Sequence, residues 1–120
     1  MLLQICRAKI HGATVTGKKL NYTDNGSITI SKEMLDITKI FPYEKVLVGN
    51  LNNGTRFETY VVRGEEPNSI VLNGAAARLG EIGDRLIIFT FGLVEESKVN
   101  TVKPVLLYVD SNNNVVKTIQ

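Results

Sequence analysis

Apolar residues recur along this chain at every second position in short stretches, the spacing of half-buried strands. Residues 5–10 place Cys6, Ala8 and Ile10 on one side and Arg7, Lys9 and His11 on the other. Thr14–Thr16 prolong the extended path past Gly12. Ser27-Ile28-Thr29-Ile30 alternates again after Asp24-Asn25-Gly26. Ser31 then stands as N-cap of a short helix through Lys39, with Met34, Leu35 and Ile37 turned inward and Pro42 closing it. Residues 45–51 and 55–62 form two strands around Asn52-Asn53-Gly54, where Asn-Gly predicts a tight two-residue hairpin turn. Residues 69–72 make another strand, and the alanines of Asn73-Gly74-Ala75-Ala76-Ala77 predict a turn or two of helix. A loop at 80–84 leads into the apolar run 86–91, residues 93–99 read as a short helix, and strands at 104–109 and 115–119 flank a polar turn. Many short strands with brief helical inserts predict a mainly β protein, a compact barrel in one domain.

Composition narrows this picture. With 120 residues, 43% of them hydrophobic and 22% charged, the chain suits one folded core. A net charge of +2 supplies no basic field for nucleic acid. Cys6 and His11 are the single cysteine and histidine, so no disulfide or metal-ligand spacing is available. A spacing of five puts these two on opposite faces of a strand, which disfavours a catalytic pair. The opening segment, interrupted by Arg7 and Lys9, does not read as a signal peptide, and no apolar run reaches membrane-spanning length. The expected compartment is the cytoplasm.

Four places carry candidate chemistry. Asn25-Gly26-Ser27 taken alone reads first as an ordinary turn. Glycine, however, leaves its carbonyl open to the next hydroxyl, so Ser27 Oγ is placed to attack the Gly26 carbonyl. Elimination and hydrolysis of the resulting ester would leave a pyruvoyl group at residue 27. Period two puts Arg56, Glu58 and Tyr60 on one strand face: a guanidinium for a carboxylate and a phenol for proton delivery. Lys9 and His11 share a strand face that, taken alone, reads first as a solvated polar surface. Asn73, Gly74, Ala75 and Ala76 offer an amide and approachable backbone N–H groups to an oxyanion, or simply start a helix.

Together these pieces resemble the bacterial aspartate 1-decarboxylases, pyruvoyl enzymes that make β-alanine for pantothenate. The resemblance rests on Lys9-Ile10-His11, Thr14-Val15-Thr16, Leu20-Asn21-Tyr22, Gly26-Ser27-Ile28-Thr29-Ile30, Asn53-Gly54-Thr55-Arg56-Phe57-Glu58-Thr59-Tyr60 and Asn73-Gly74-Ala75-Ala76-Ala77 in that order. Gly83-Asp84 and Val109-Asp110 extend it over nearly the whole chain.

The resemblance implies a double-psi β-barrel, a homotetramer with active sites between subunits, and self-cleavage into chains 1–26 and 27–120. Ser27 would become the pyruvoyl group that condenses with the amine of L-aspartate, with neither metal nor pyridoxal phosphate. Arg56 would hold a substrate carboxylate, the one that stays, because clamping the leaving one would stabilise the ground state. Tyr60 would donate the proton, and Thr59 and Asn73 would assist cleavage at the Gly26 carbonyl. Lys9, His11, Gly74, Ala75 and Ala76 would line the substrate site, with Tyr22 packed around it. A maturation helper protein is a further possible partner. The approach from Tyr22 to Ser27 is two residues longer than the family pattern. On a regular strand Thr59 points away from Arg56 and Tyr60, so its role requires a bulge, a twist or a site at the strand's edge. Alternatives from the residues alone are a non-catalytic β-barrel binding module and an unprocessed, inert family member.

Overall fold

The computed structural model describes residues 1–21 and 26–120. Tyr22 and the lengthened turn at residues 23–25 lie outside the described residues. Among these, the strands are β1 (Leu2–Thr14), β2 (Gly17–Lys19), β3 (Ser27–Ser31), β4 (Lys45–Asn50), β5 (Arg56–Gly64), β6 (Ile70–Asn73), β7 (Arg85–Glu95), β8 (Val105–Val109) and β9 (Val115–Ile119). One helix, α1 (Lys32–Thr38), and two 3₁₀ segments, Gly74–Arg78 and Glu96–Thr101, interrupt them.

These strands form one mixed sheet in the order β2-β6-β3-β5-β4-β7-β1-β8-β9. Chain connectivity forces that sheet to curl. In a flat sheet, β1 and β2 would stand six places apart, roughly 29 Å at about 4.8 Å per strand. Only Val15 and Thr16 join them, a reach of roughly 11 Å. Val15 N–H donates to the Asp84 carbonyl at 2.9 Å and Thr16 N–H to the Ile70 carbonyl at 2.8 Å, carrying the chain from the β7 side to the β6 side. The fold is therefore mainly β and barrel-like, the class expected from the sequence. Its interior is filled by Ile10, Ile28, Ile30, Val48, Ile70, Leu72, Leu86, Ile88 and Leu107, all fully buried.

Several local expectations need correction. The first strand runs from Leu2 to Thr14 because two register shifts, between Cys6 and Ala8 and between His11 and Ala13, let it bend without ending. At the second shift Gly12 takes φ 87°, and a Cβ there would come within 2.6 Å of the Arg85 guanidinium, which bonds the Gly12 carbonyl. The Asn52-Asn53-Gly54 hairpin closes through a wider loop than a two-residue turn. Positive φ falls on Gly54 and not on Asn53, and the Asn50 carbonyl accepts from Gly54 N–H at 2.9 Å. The Asn50 side chain organises that loop, accepting from Asn52 N–H at 2.9 Å. Leu93 and Val94 belong to β7, paired with Gln4 and Leu3, and the helical segment starts only at Glu96. Ser31 occupies the N-cap position of α1, yet its hydroxyl makes no capping bond and lies buried.

A half-buried ion pair ties β1 to the α1–β4 connection. Arg7 engages Glu44 through both Nε, at 3.1 Å, and Nη2. Thr90 Oγ1 donates to Glu44 at 2.7 Å and Phe41 N–H at 3.0 Å. Burial alone would raise the Glu44 carboxyl, but the Arg7, Phe41 and Thr90 hydrogen bonds, with the Arg7 charge, hold it below its ordinary value. A carboxyl depressed by folding stabilises above the ordinary carboxylate range, and this stabilisation is lost as pH falls through the folded value. Glu44→Gln is thus expected to cost about 2 kcal/mol at neutral pH and progressively less as pH falls below the ordinary carboxylate range. Thermal midpoints across a pH series check this; a gap between the two proteins that stays constant down to acid pH rejects the linkage.

Candidate active site

Gly26 and Ser27 lie at the entrance of β3, where that strand meets β6 on one side and β5 on the other. The antiparallel β3–β6 register sets Ser27 directly opposite Asn73. Both residues are buried, and Asn73 Nδ2 donates to Ser27 Oγ and to Thr29 Oγ1, each at 3.0 Å. Thr29 was not anticipated as a site residue, although period two from Ser27 places it on the same face. Asn73 Oδ1 is buried without a partner among the described residues.

Gly26 adopts φ 124°, a conformation that side chains disfavour. Its open Cα faces the start of the Gly74–Arg78 segment: the Cβ position would stand 3.5 Å from Ala75 N and 3.6 Å from Ala76 N. A side chain at residue 26 would therefore touch the Ala75 methyl and the Ala75–Ala76 backbone. Gly74 itself turns the chain with φ 61°.

A cleft of about 220 Å³ opens here, lined by Gly26, Thr59, Tyr60, Ala75, Ala76 and Leu79 with Phe57 and Glu58. Four consecutive residues of β5 line one cleft because its edge, not one of its faces, forms the wall. The reason lies in the pairing. β5 is bonded to β4 from Arg56 to Tyr60, but its ladder with β3 begins only at Val61. The edge facing β3 is thus free of that ladder beside Gly26, and Thr59 and Tyr60 reach the same cavity despite their alternation. This is the strand-edge geometry that a role for Thr59 requires.

The remaining predicted residues stand elsewhere in the single chain. Arg56 is exposed, with its guanidinium 5.6 Å from the Phe89 ring centroid. It borders a second cleft of about 600 Å³ with Gln4, Lys45, Leu47 and Phe91. Phe57 and Glu58 line both clefts, so the two flank the same stretch of β5. Lys9 and His11 lie on β1, four places along the sheet from β3. The His11 ring packs 5.3 Å from Tyr108, and its Nδ1 is buried without a partner among the described residues. Burial, then the charges of Lys9 and Arg85, hold the His11 pKa below its ordinary value. No helix among the described residues is long and apolar enough to cross a membrane.

The fold and this arrangement define a small mainly β protein in which a buried serine follows a half-buried glycine at a cleft. The chain belongs to the aspartate decarboxylase family, whose sequence model matches residues 1–116. It is 48% identical over 118 residues to a Caldicellulosiruptor saccharolyticus protein named aspartate 1-decarboxylase, covering 98% of this chain and 91% of that one. A Leptospira biflexa protein of the same name is 47% identical over 119 residues, 98% of this chain and 99% of its own. A third, from Chlorobium chlorochromatii, is 50% identical over 115 residues, 95% and 88% of the two chains.

Proposed function

We propose that this chain is a proenzyme that cleaves itself between Gly26 and Ser27 and then decarboxylates L-aspartate to β-alanine and CO₂. The observation that carries this reading is the buried Ser27 hydroxyl, bonded to Asn73 Nδ2 at 3.0 Å, next to a glycine held at φ 124°. In the first step Ser27 Oγ attacks the Gly26 carbonyl carbon, and the acyl group passes from nitrogen to oxygen. Loss of the Ser27 Cα proton with breaking of the Cβ–Oγ bond then releases the Gly26 carboxylate and leaves an enamine at residue 27. Its imine tautomer adds water and expels ammonia to give the ketone. Asn73 orients the hydroxyl, and Thr59 and the region of Ala75 and Ala76 surround the carbonyl that must accept charge.

The surroundings fit a pyruvoyl group at residue 27: Gly26 borders an open cleft, and Asn73 Nδ2 is a donor already within reach of the residue 27 side chain, suited to a carbonyl oxygen there. Such a group supplies an electron sink for the pair that CO₂ loss leaves behind. Tyr60, on the cleft wall, delivers a proton to the carbon that lost the carboxylate. Arg56 holds the carboxylate that stays, while Lys9 and His11 line the substrate site. None of these three lines the Gly26 cleft within one chain, which supports a homotetramer whose active sites draw on two copies. A cytoplasmic location, a place in pantothenate synthesis and assistance from a maturation protein belong to the same reading.

Intact-protein mass spectrometry with an assay of CO₂ release tests it. Two fragments split after Gly26, the larger lacking a free amine, and CO₂ released from aspartate are expected. A single uncut chain after long incubation, with no CO₂, would falsify the reading and favour an inert family member.

A further inference from the structure

Tyr43 has a backbone that its side chain makes costly. It adopts φ 70°, a left-handed conformation in which a bulky aromatic residue is a genuine outlier. The chain holds it there from several directions. Tyr43 N–H donates to the Val61 carbonyl at 2.7 Å, and Val61 N–H returns to the Glu44 carbonyl at 3.0 Å. Glu44 N–H closes the turn onto the Phe41 carbonyl at 3.1 Å, and the Glu44 carboxylate accepts from Phe41 N–H while clasped by Arg7. A glycine would meet this backbone requirement without strain. The residue present instead is largely exposed, 80%, so core packing does not account for it.

What the ring does touch is Tyr60. The two rings stack with centroids 6.1 Å apart and planes inclined by 29°. Tyr60 is the residue next to Val61, onto which the strained turn is bonded, and it lines the Gly26 cleft. We propose that Tyr43 is a positioning residue: its ring braces Tyr60 so that the phenol stays directed at the reacting carbon. This inference rests on the decarboxylase reading, in which Tyr60 is the proton donor. Strain kept at a site where nothing in the core requires it is consistent with such a role.

Two substitutions separate bracing from folding. Tyr43→Gly relieves the backbone and removes the ring; Tyr43→Phe keeps the ring. The expected result for Tyr43→Gly is complete self-cleavage, an unchanged or raised thermal midpoint, an unchanged KM for aspartate and a kcat lower by about tenfold. Tyr43→Phe is expected to rescue kcat to within about twofold of the parent. Parent-level kcat in Tyr43→Gly, or an equal loss in Tyr43→Phe, overturns the proposal. A readout independent of turnover is fluorine NMR of the fluorotyrosine-labelled protein, with the Tyr60 resonance assigned by its disappearance in Tyr60→Phe. That resonance is expected to move in Tyr43→Gly, and an unmoved resonance rejects the brace. A parent protein that releases no CO₂ from aspartate counts against the decarboxylase reading instead.

Discussion

Ser27→Ala is expected to give a folded, full-length, uncut chain that does not decarboxylate aspartate. The chemistry requires it: without Oγ there is no nucleophile for the Gly26 carbonyl and no source of a ketone at residue 27. The structure indicates why folding survives. Ser27 is buried in the β3–β6 ladder, and its backbone pairing with Asn73 does not involve the hydroxyl. Asn73 Nδ2 loses one acceptor but keeps Thr29 Oγ1 at 3.0 Å. The cost is therefore that of one neutral hydrogen bond, about 1 kcal/mol, small against the stability of a typical domain. An intact mass measurement, a thermal melt and a CO₂ assay on the same sample check all three statements. Residual decarboxylation in a homogeneous uncut variant would remove Ser27 as the source of the electron sink.

The sequence made much of this site legible, and the parts it hid share a cause. Alternation at Ser27–Ile30 and through residues 55–62 located β3 and β5, because each has one face in the core and period two survives wherever the ladder is regular. Asn73 was legible through its order in the chain, and the β3–β6 register set it opposite Ser27. The full extent of β1 was not legible, since each register shift breaks the alternation that marks a strand. Leu93 and Val94 misled for a related reason: they are strand residues only because Leu3 and Gln4, far away in sequence, are there to pair with them. The Thr59 puzzle dissolved on a similar non-local fact, the delay of β3–β5 pairing until Val61. Tyr43 gave no local signal, because neither its positive φ nor its contact with Tyr60 can be read from neighbouring residue types. Arg56, Lys9 and His11 do not line the Gly26 cleft within one chain, and no periodicity along the sequence marks that separation.

Tyr60→Phe is expected to cleave itself as the parent does, yet turn over aspartate with kcat reduced by about 10²-fold or more, the usual contribution of a positioned acid. Self-cleavage should persist because it uses Ser27, Gly26 and Asn73, none of which changes. The ring should also stay in place, since Phe retains the stack on Tyr43 and the backbone pair with Lys45. The phenolic hydroxyl is lost and with it the proton to be delivered, so KM should move little while kcat falls, the pattern of an interaction made in the transition state. Isotope placement gives a second readout. In deuterated water the parent is expected to add deuterium to one face of the carbon that lost CO₂, because a fixed donor approaches from one side. The variant, protonated by whatever water reaches the cleft, should label both faces. Unchanged turnover together with single-faced labelling in Tyr60→Phe would transfer the proton-donor role to another residue on the cleft wall, and the brace assigned to Tyr43 would lose its purpose.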